Sequence, residues 1–236
     1  MKILTVDVGT GTQDIYLYDS RLDLENGFKL IVPSPTMIVR QRLREATRRG
    51  EAVLLTGVMM GGGPSQWAAE AHARAGLPIY ATPEAARSFN DELDAVEAMG
   101  IRVLGEDEAH GLSKNVRRFE LRDFDFTAIS CALERFGVNL KDLTAVAVAV
   151  FDHGNSPPGY SDRQFRFDYL DERIRARPRP GAASRLSAFA YRAENVPPIM
   201  TRLQAVVNSS QGIDVPLVVM DTAPAAVLGA TFDPMV

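Results

Sequence analysis

"VDVGTGTQDIYLYD", residues 6–19, decides how the chain is read. The apolar run "KILTVDV" (2–8) and the run "DIYLYD" (14–19) both read as strands, and "GTGTQ" joins them. So short a glycine-bearing linker predicts an antiparallel hairpin. Asp7 falls at the end of the first strand, where its carboxylate projects toward the turn. Gly9 and Gly11 open dihedrals closed to other residues and let a ligand approach the backbone closely. Thr10, Thr12 and Gln13 add polar side chains, and exposed N–H groups suit phosphate oxygens. A carboxylate beside such a turn suits hydrated Mg2+. The same residues also make an ordinary glycine-rich turn with a capping aspartate, and spacing alone leaves both readings open.

Working outward, "FKLIVPSP" reads as a third strand stopped by Pro33 and Pro35. "TMIVRQRLREATRRG" reads as a helix with Thr36 as N-cap and Gly50 as its stop. "EAVLLTGVMM" is a buried strand. Beyond it, strands and helices alternate: a helix over about 65–75, the strand "LPIYA", one or two helical pieces in "TPEAARSFNDELDAVEAMG" with Thr82 as N-cap and Pro83 at the first helical position, and the strand "IRVLG". "DFTAISCALERFG" (helix), "LTAVAVAVF" (strand), "VPPIMTRLQAVVNSSQG" (helix), "VPLVVMD" (strand) and "APAAVLGAT" (helix) follow. The order predicts an α/β protein: a mixed β-sheet with helices on both faces. The expected division is a core over 1–151, a long Pro/Arg-rich loop region over 152–197, and a helix-strand-helix over 198–236. That last segment either returns to the core or opens a second, incomplete domain.

Composition narrows the classes. Hydrophobic residues make up 46% and charged residues 24%, as in a globular protein with a real core. Net charge is −4, so no global basic field argues for nucleic acid, which is not expected as a partner. No apolar run is long enough to span a membrane, and the N-terminus enters a strand at once, so a cytoplasmic location is expected. The single cysteine, Cys131, lies in an amphipathic helical run and excludes a disulfide framework within the chain.

Three further places carry chemistry. "TGVMMGGGPSQW" (56–67) puts Gly61, Gly62 and Gly63 between a strand and a helix, where free N–H groups at the helix start suit an anion; a tight packed turn is the alternative. "VFDHGNSPPGYSDRQFRF" (150–167) places Asp152 and His153 at the end of a buried strand, where ligand sites of open α/β sheets gather. Asp152 suits a base or metal ligand and His153 a proton carrier; the alternative is a capped turn. Asp162, Arg163 and Arg166 suit either a clamp on a phosphate or carboxylate or loop ordering. His72, His110 and the acidic run at Asp91, Glu92, Asp94 and Glu97 read as structural or solvated positions.

"VDVGTGTQDIYLYD" resembles the first phosphate motif of the actin, Hsp70 and sugar-kinase superfamily, strand, Asp-x-Gly-Thr, strand. The resemblance implies a ribonuclease H-like core, with ATP and Mg2+ as cofactors and the metal near Asp7. It also implies a second phosphate motif later in the chain. There Asp221 ends "PLVVMD", but Thr222-Ala223-Pro224 leads into a helix; Asp221 is the candidate second metal ligand. "TGVMMGGGPSQWAAEAHARAGLPIYATPEAARSFNDELD", "AVAVFDHGNSPPGYSDRQFRFDYL" and "VVMDTAPAAVLGA" resemble a family of bacterial and archaeal proteins of uncharacterised function. Its members are often labelled pyruvate formate-lyase activating proteins. A radical activating enzyme needs three clustered cysteines for its iron–sulfur centre, and this chain has one.

Three functions are compatible with these residues. One is an ATPase or phosphotransferase acting on a small phosphorylated ligand. A second is a small-anion-binding module that acts on a protein partner, with self-association open. The third is a metal-dependent nuclease-like use of the fold, in which Asp7, Asp152 and Asp221 converge.

Overall fold

The computed structural model describes residues 1–59, 63–152, 154–157, 159–175, 189–210 and 212–230. The chain opens with β1 (Lys2–Val8), β2 (Thr12–Asp19) and β3 (Phe28–Pro33). Then come α1 (Pro35–Arg49), β4 (Val53–Val58), α2 (Gly63–Arg74), β5 (Ile79–Ala81), α3 (Pro83–Arg87) and α4 (Leu93–Ala98). β6 (Arg102–Val103), α5 (Glu106–Gly111), β7 (Arg117–Arg122), α6 (Phe126–Arg135) and β8 (Ala145–Val150) follow. α7 (Asp162–Arg175), β9 (Ala190–Arg192), α8 (Thr201–Ser209), β10 (Leu217–Asp221) and α9 (Thr222–Ala230) complete the described order.

This is an α/β fold with one mixed and one parallel sheet. Contacts group the chain into two compact units: Met1–Val8, Asp14–Leu30 and Phe124–Val236 form the first, Gly9–Gln13 and Ile31–Asp123 the second. The division cuts through the segment 1–151 that the sequence reading keeps together. "EAVLLTGVMM" contributes β4 to its own four-stranded sheet, β6-β5-β4-β7, rather than continuing the sheet of β1. β10 lies in the first sheet, whose order is β3-β2-β1-β8-β10-β9.

In the first sheet, β1 and β2 are neighbours joined by three residues, and Gly9 N–H donates to the Thr12 carbonyl (2.9 Å). β8 and β10 both run parallel to β1, and β9 pairs antiparallel with β10. The alternation of "AVAVAV" turns Val146, Val148 and Val150 into the core and leaves the alanines half-buried. β8 therefore buries its valine face fully and its alanine face in part.

In the second unit, α1 starts at Ser34, not Thr36. The Ser34 hydroxyl accepts from Met37 N–H (3.4 Å) and Pro35 takes the first turn, where its fixed φ and missing N–H cost nothing. Thr36 is buried instead and donates to Ser65 Oγ on α2 (3.0 Å). Gly50, at φ 66°, closes the helix as expected. Thr82 caps α3, its hydroxyl accepting from Ala85 N–H (3.4 Å). Val39, Leu43, Val53, Leu55, Ala69, Ile79, Ala81 and Leu121 fill the core beneath.

His72 of α2 is fully buried against α1. Thr47 Oγ1 donates to the Leu43 carbonyl (2.8 Å), so its oxygen accepts from His72 Nδ1 (2.8 Å), which makes Nδ1 the nitrogen that carries the proton when the ring is neutral. Burial lowers the imidazole pKa, against a smaller upward pull from the Pro78 carbonyl. The unfolded chain takes a proton near 6.5, about the ordinary histidine value. His72 therefore contributes fully to stability above that pH and progressively less as pH falls toward its folded pKa. Urea unfolding from pH 8 to pH 5 is expected to show a steeper loss for wild type than for His72→Gln; parallel curves would refute it.

Candidate functional site

The register of three adjacent parallel strands gathers the aspartates of the first unit. Asp7 stands opposite Ala149, Asp221 opposite Val150, and Asp152 follows β8 by two residues. All three lie at the carboxyl edge of one sheet, where open α/β sheets place their ligands. Their surroundings differ sharply.

Asp152 has no exposure. Its Oδ1 accepts from Gly154 N–H (2.8 Å), and its Oδ2 from the N–H groups of Arg202 (3.0 Å) and Leu203 (2.9 Å). α8 has Met200 at its N-cap, with no side-chain capping bond of its own. Asp152 supplies that cap from fifty residues away, satisfying donors that a helix start leaves orphaned. Burial raises its pKa; the Leu203 and Gly154 N–H groups and the Arg202 charge pull it back. Both oxygens expected to serve as base or metal ligand are engaged, Oδ2 in holding the start of α8 and Oδ1 in holding the turn at Gly154.

Asp221 is 3% exposed and Arg166 7%. Arg166, on α7, donates to Asp221 Oδ1, which also accepts from Ala223 N–H (2.8 Å). The guanidinium lies over the Phe151 ring, 4.2 Å from its centroid. Arg166 thus holds a carboxylate of the chain itself, that of Asp221, and ties α7 to the end of β10. Asp221 Oδ2 and Arg166 Nε have no hydrogen-bond partner among the described residues. A neighbouring cluster pins the same helix: Arg173 of α7 lies over the rings of Tyr169, Phe189 and Tyr191, at 5.9, 5.6 and 5.2 Å. Burial, with Tyr169 beside it, raises the Tyr191 pKa.

Asp7 alone of the three is exposed. Thr222 Oγ1, at the start of α9, donates to its Oδ1 (3.3 Å). Partial burial raises its pKa, the Thr222 hydrogen bond lowers it, and the Asp14 carboxylate of β2 raises it again. Asp14 is exposed as well. Asp14 and Thr222 are the members of this site that sequence reasoning missed. The signal for Asp14 was available, since it follows the glycine turn at the start of "DIYLYD".

The turn itself, in the second unit, departs from expectation. Neither Gly9 nor Gly11 has positive φ. Gly9 is needed for closeness instead, because a Cβ there would sit 2.9 Å from the Thr12 carbonyl oxygen. Ser34 Oγ donates to the Thr10 carbonyl (2.6 Å) and Ser34 N–H to the Gly11 carbonyl (3.1 Å). Gln13 is buried and donates to the Pro33 carbonyl (3.2 Å), so its amide secures the turn. Thr10 and Thr12 are exposed. Gly63, the first residue of α2, lies beside Thr10: a Cβ there would meet Thr10 Cγ2 at 3.5 Å.

Gly61, Gly62 and His153 lie outside the described residues, as does the side chain of Arg163, whose backbone is in α7. Among the described residues, no three His, Cys, Asp or Glu side chains group as a metal site. His110 Nδ1 meets the Glu106 carbonyl (2.9 Å), in keeping with its structural reading. No helix of the described residues is long and apolar enough to cross a membrane.

Comparison with curated proteins gives no match. A family model matches residues 60–236, and its description is "Putative pyruvate format-lyase activating enzyme (DUF1786)". The activity in that description does not fit the residues present if it means radical chemistry, since Cys131 is the one cysteine and the iron–sulfur centre of a radical activating enzyme takes three clustered cysteines. The match nevertheless spans about three quarters of the chain, beginning just after β4 and taking in every later element through α9, and on that extent the chain belongs to this family.

Proposed function

We propose that the chain binds a phosphate-bearing ligand of the Mg2+–nucleotide class, with Asp7 as the carboxylate that faces the hydrated metal. The observation that carries this is the state of the three strand-end aspartates. Asp152 and Asp221 are buried and engaged, whereas Asp7 is exposed and raised in pKa in part by Asp14. Mg2+ is held by one or two carboxylates, its own waters and substrate phosphates, so this pair fits it. A bound metal would neutralise phosphate charge there. Thr222 orients Asp7, and Asp14 offers the second carboxylate.

One further feature supports the reading. In the first unit, the strand order β3-β2-β1-β8-β10, with β8 and β10 parallel to β1, agrees with the resemblance to actin-like ATPases and sugar kinases. With Asp152 and Asp221 occupied, the described residues favour ligand binding over phosphoryl transfer. The same occupancy disfavours a nuclease-like pair of metals, which needs converging free carboxylates.

A thermal-shift screen of nucleotides and sugar phosphates, with and without Mg2+, tests the class. A native-state ligand at a hundredfold excess over its Kd adds about 2.7 kcal/mol of stability. The expected result is a rise that needs metal and nucleotide together and fades with acidification, at a higher pH than for an ordinary carboxylate, because Asp7 must be ionised to hold the cation. No shift with any member of the panel sinks the reading.

A further inference from the structure

We propose that the groove between α1 and α2 of the second unit is a track for single-stranded nucleic acid. Arg40, Arg44 and Arg48 recur at four-residue steps along α1, so they share a face and rise about 6 Å at each step. All three line a cleft of about 620 Å3 that Ala68 and Ala71 of α2 also border. No acidic side chain lines it among the described residues. Among the described residues, the hydrogen bonds these arginines donate are local: Arg40 Nη1 to Met37 Sδ (3.9 Å) and Arg48 Nε to the Arg44 carbonyl (3.4 Å). Glu45, the acid of α1, is taken by Arg49. Three like charges stacked on one helix face repel each other, and an anionic occupant with charges repeating every few ångströms relieves that.

Trp67 says which polyanion. It is the chain's one tryptophan, it is 63% exposed, and it stands one turn before Ala71 on the same face of α2. A large aromatic left in water beside a basic groove suits a stacked, unpaired base. An acidic polypeptide would match the arginines but give the indole nothing to stack on. A duplex would present phosphates with its bases closed. The net charge of −4 does not oppose this, because a strand reads the local field of the groove.

The sole tryptophan makes the test direct. The full chain is titrated with an oligothymidylate of about twelve nucleotides, within the range of single-strand sites. Trp67 fluorescence is followed alongside the anisotropy of a labelled copy. The expected result is saturable quenching, with affinity falling with salt at a log–log slope of about −2, three contacts at roughly 0.7 each. Arg44→Ala combined with Arg48→Ala, and separately Trp67→Ala, are each expected to weaken binding by about tenfold while leaving the urea midpoint in place. Poly-glutamate of matched charge is expected neither to quench nor to displace the oligomer. The proposal is overturned by absence of binding at low salt, by wild-type affinity in the double arginine variant, or by displacement with poly-glutamate, which would assign the groove to an acidic protein segment.

Discussion

Asp221→Ala is expected to destabilise the chain by about 3–5 kcal/mol, the cost of leaving one member of a buried ion pair unpartnered. Arg166 is 7% exposed, and its guanidinium is held between Asp221 and the Phe151 ring. Without the carboxylate, that charge must stay buried uncompensated or pull α7 away from β10 to reach water. The pair is not expected to be a large net stabiliser, since desolvation offsets most of its attraction. Two atoms show the offset: among the described residues, Asp221 Oδ2 and Arg166 Nε lack hydrogen-bond partners. Arg166→Met in the Asp221→Ala background is therefore expected to recover part of the loss. Urea unfolding of both single variants and the double measures this. A loss under 1 kcal/mol in Asp221→Ala, or strict additivity in the double, would contradict the buried-pair description.

Asp152→Ala is expected to cost about 3 kcal/mol or more. It strips acceptors from three N–H groups, those of Gly154, Arg202 and Leu203, at about 1–3 kcal/mol for each donor that stays buried and unpaired. Asp152→Asn keeps one acceptor oxygen and is expected to lose less. The effect is local to the start of α8, so Arg202 and Leu203 amide hydrogen exchange is expected to accelerate before that of β8. A base or metal ligand at this position would behave in the opposite way. Stability would hold, and ligand affinity or turnover would collapse.

Much of this arrangement is legible in the sequence, and the illegible parts have physical causes. β1, β2, β8 and β10 announce themselves as apolar or β-branched runs, and the strand-end positions of Asp7, Asp152 and Asp221 follow from them. β7 was missed because Arg117, Arg118, Glu120 and Arg122 surround the two buried side chains, Phe119 and Leu121, and mask the period of two. α7 lies inside the stretch whose prolines and arginines read as a loop, and its most buried described side chain, Arg166, is charged, which masks the helical period. The two-unit division is invisible locally, because nothing in "VLLTGV" states which sheet the strand joins. The role of Asp152 is invisible for a related reason: its partners are backbone groups some fifty residues on, and backbone groups carry no sequence signature.

Whether Asp7 works on a ligand or on the turn is decided by one measurement, calorimetric titration of wild type and Asp7→Asn with Mg2+ and the nucleotide that gives the largest thermal shift. Loss of a charge-assisted contact to the hydrated metal is expected to weaken binding by about ten- to hundredfold, or roughly 1.5–3 kcal/mol. The urea midpoint should not move, since Asp7 is exposed and its recorded side-chain contact is a 3.3 Å hydrogen bond from Thr222. Unchanged affinity in Asp7→Asn, or a variant that loses stability while binding as wild type does, would contradict the proposal and leave Asp7 as a turn cap.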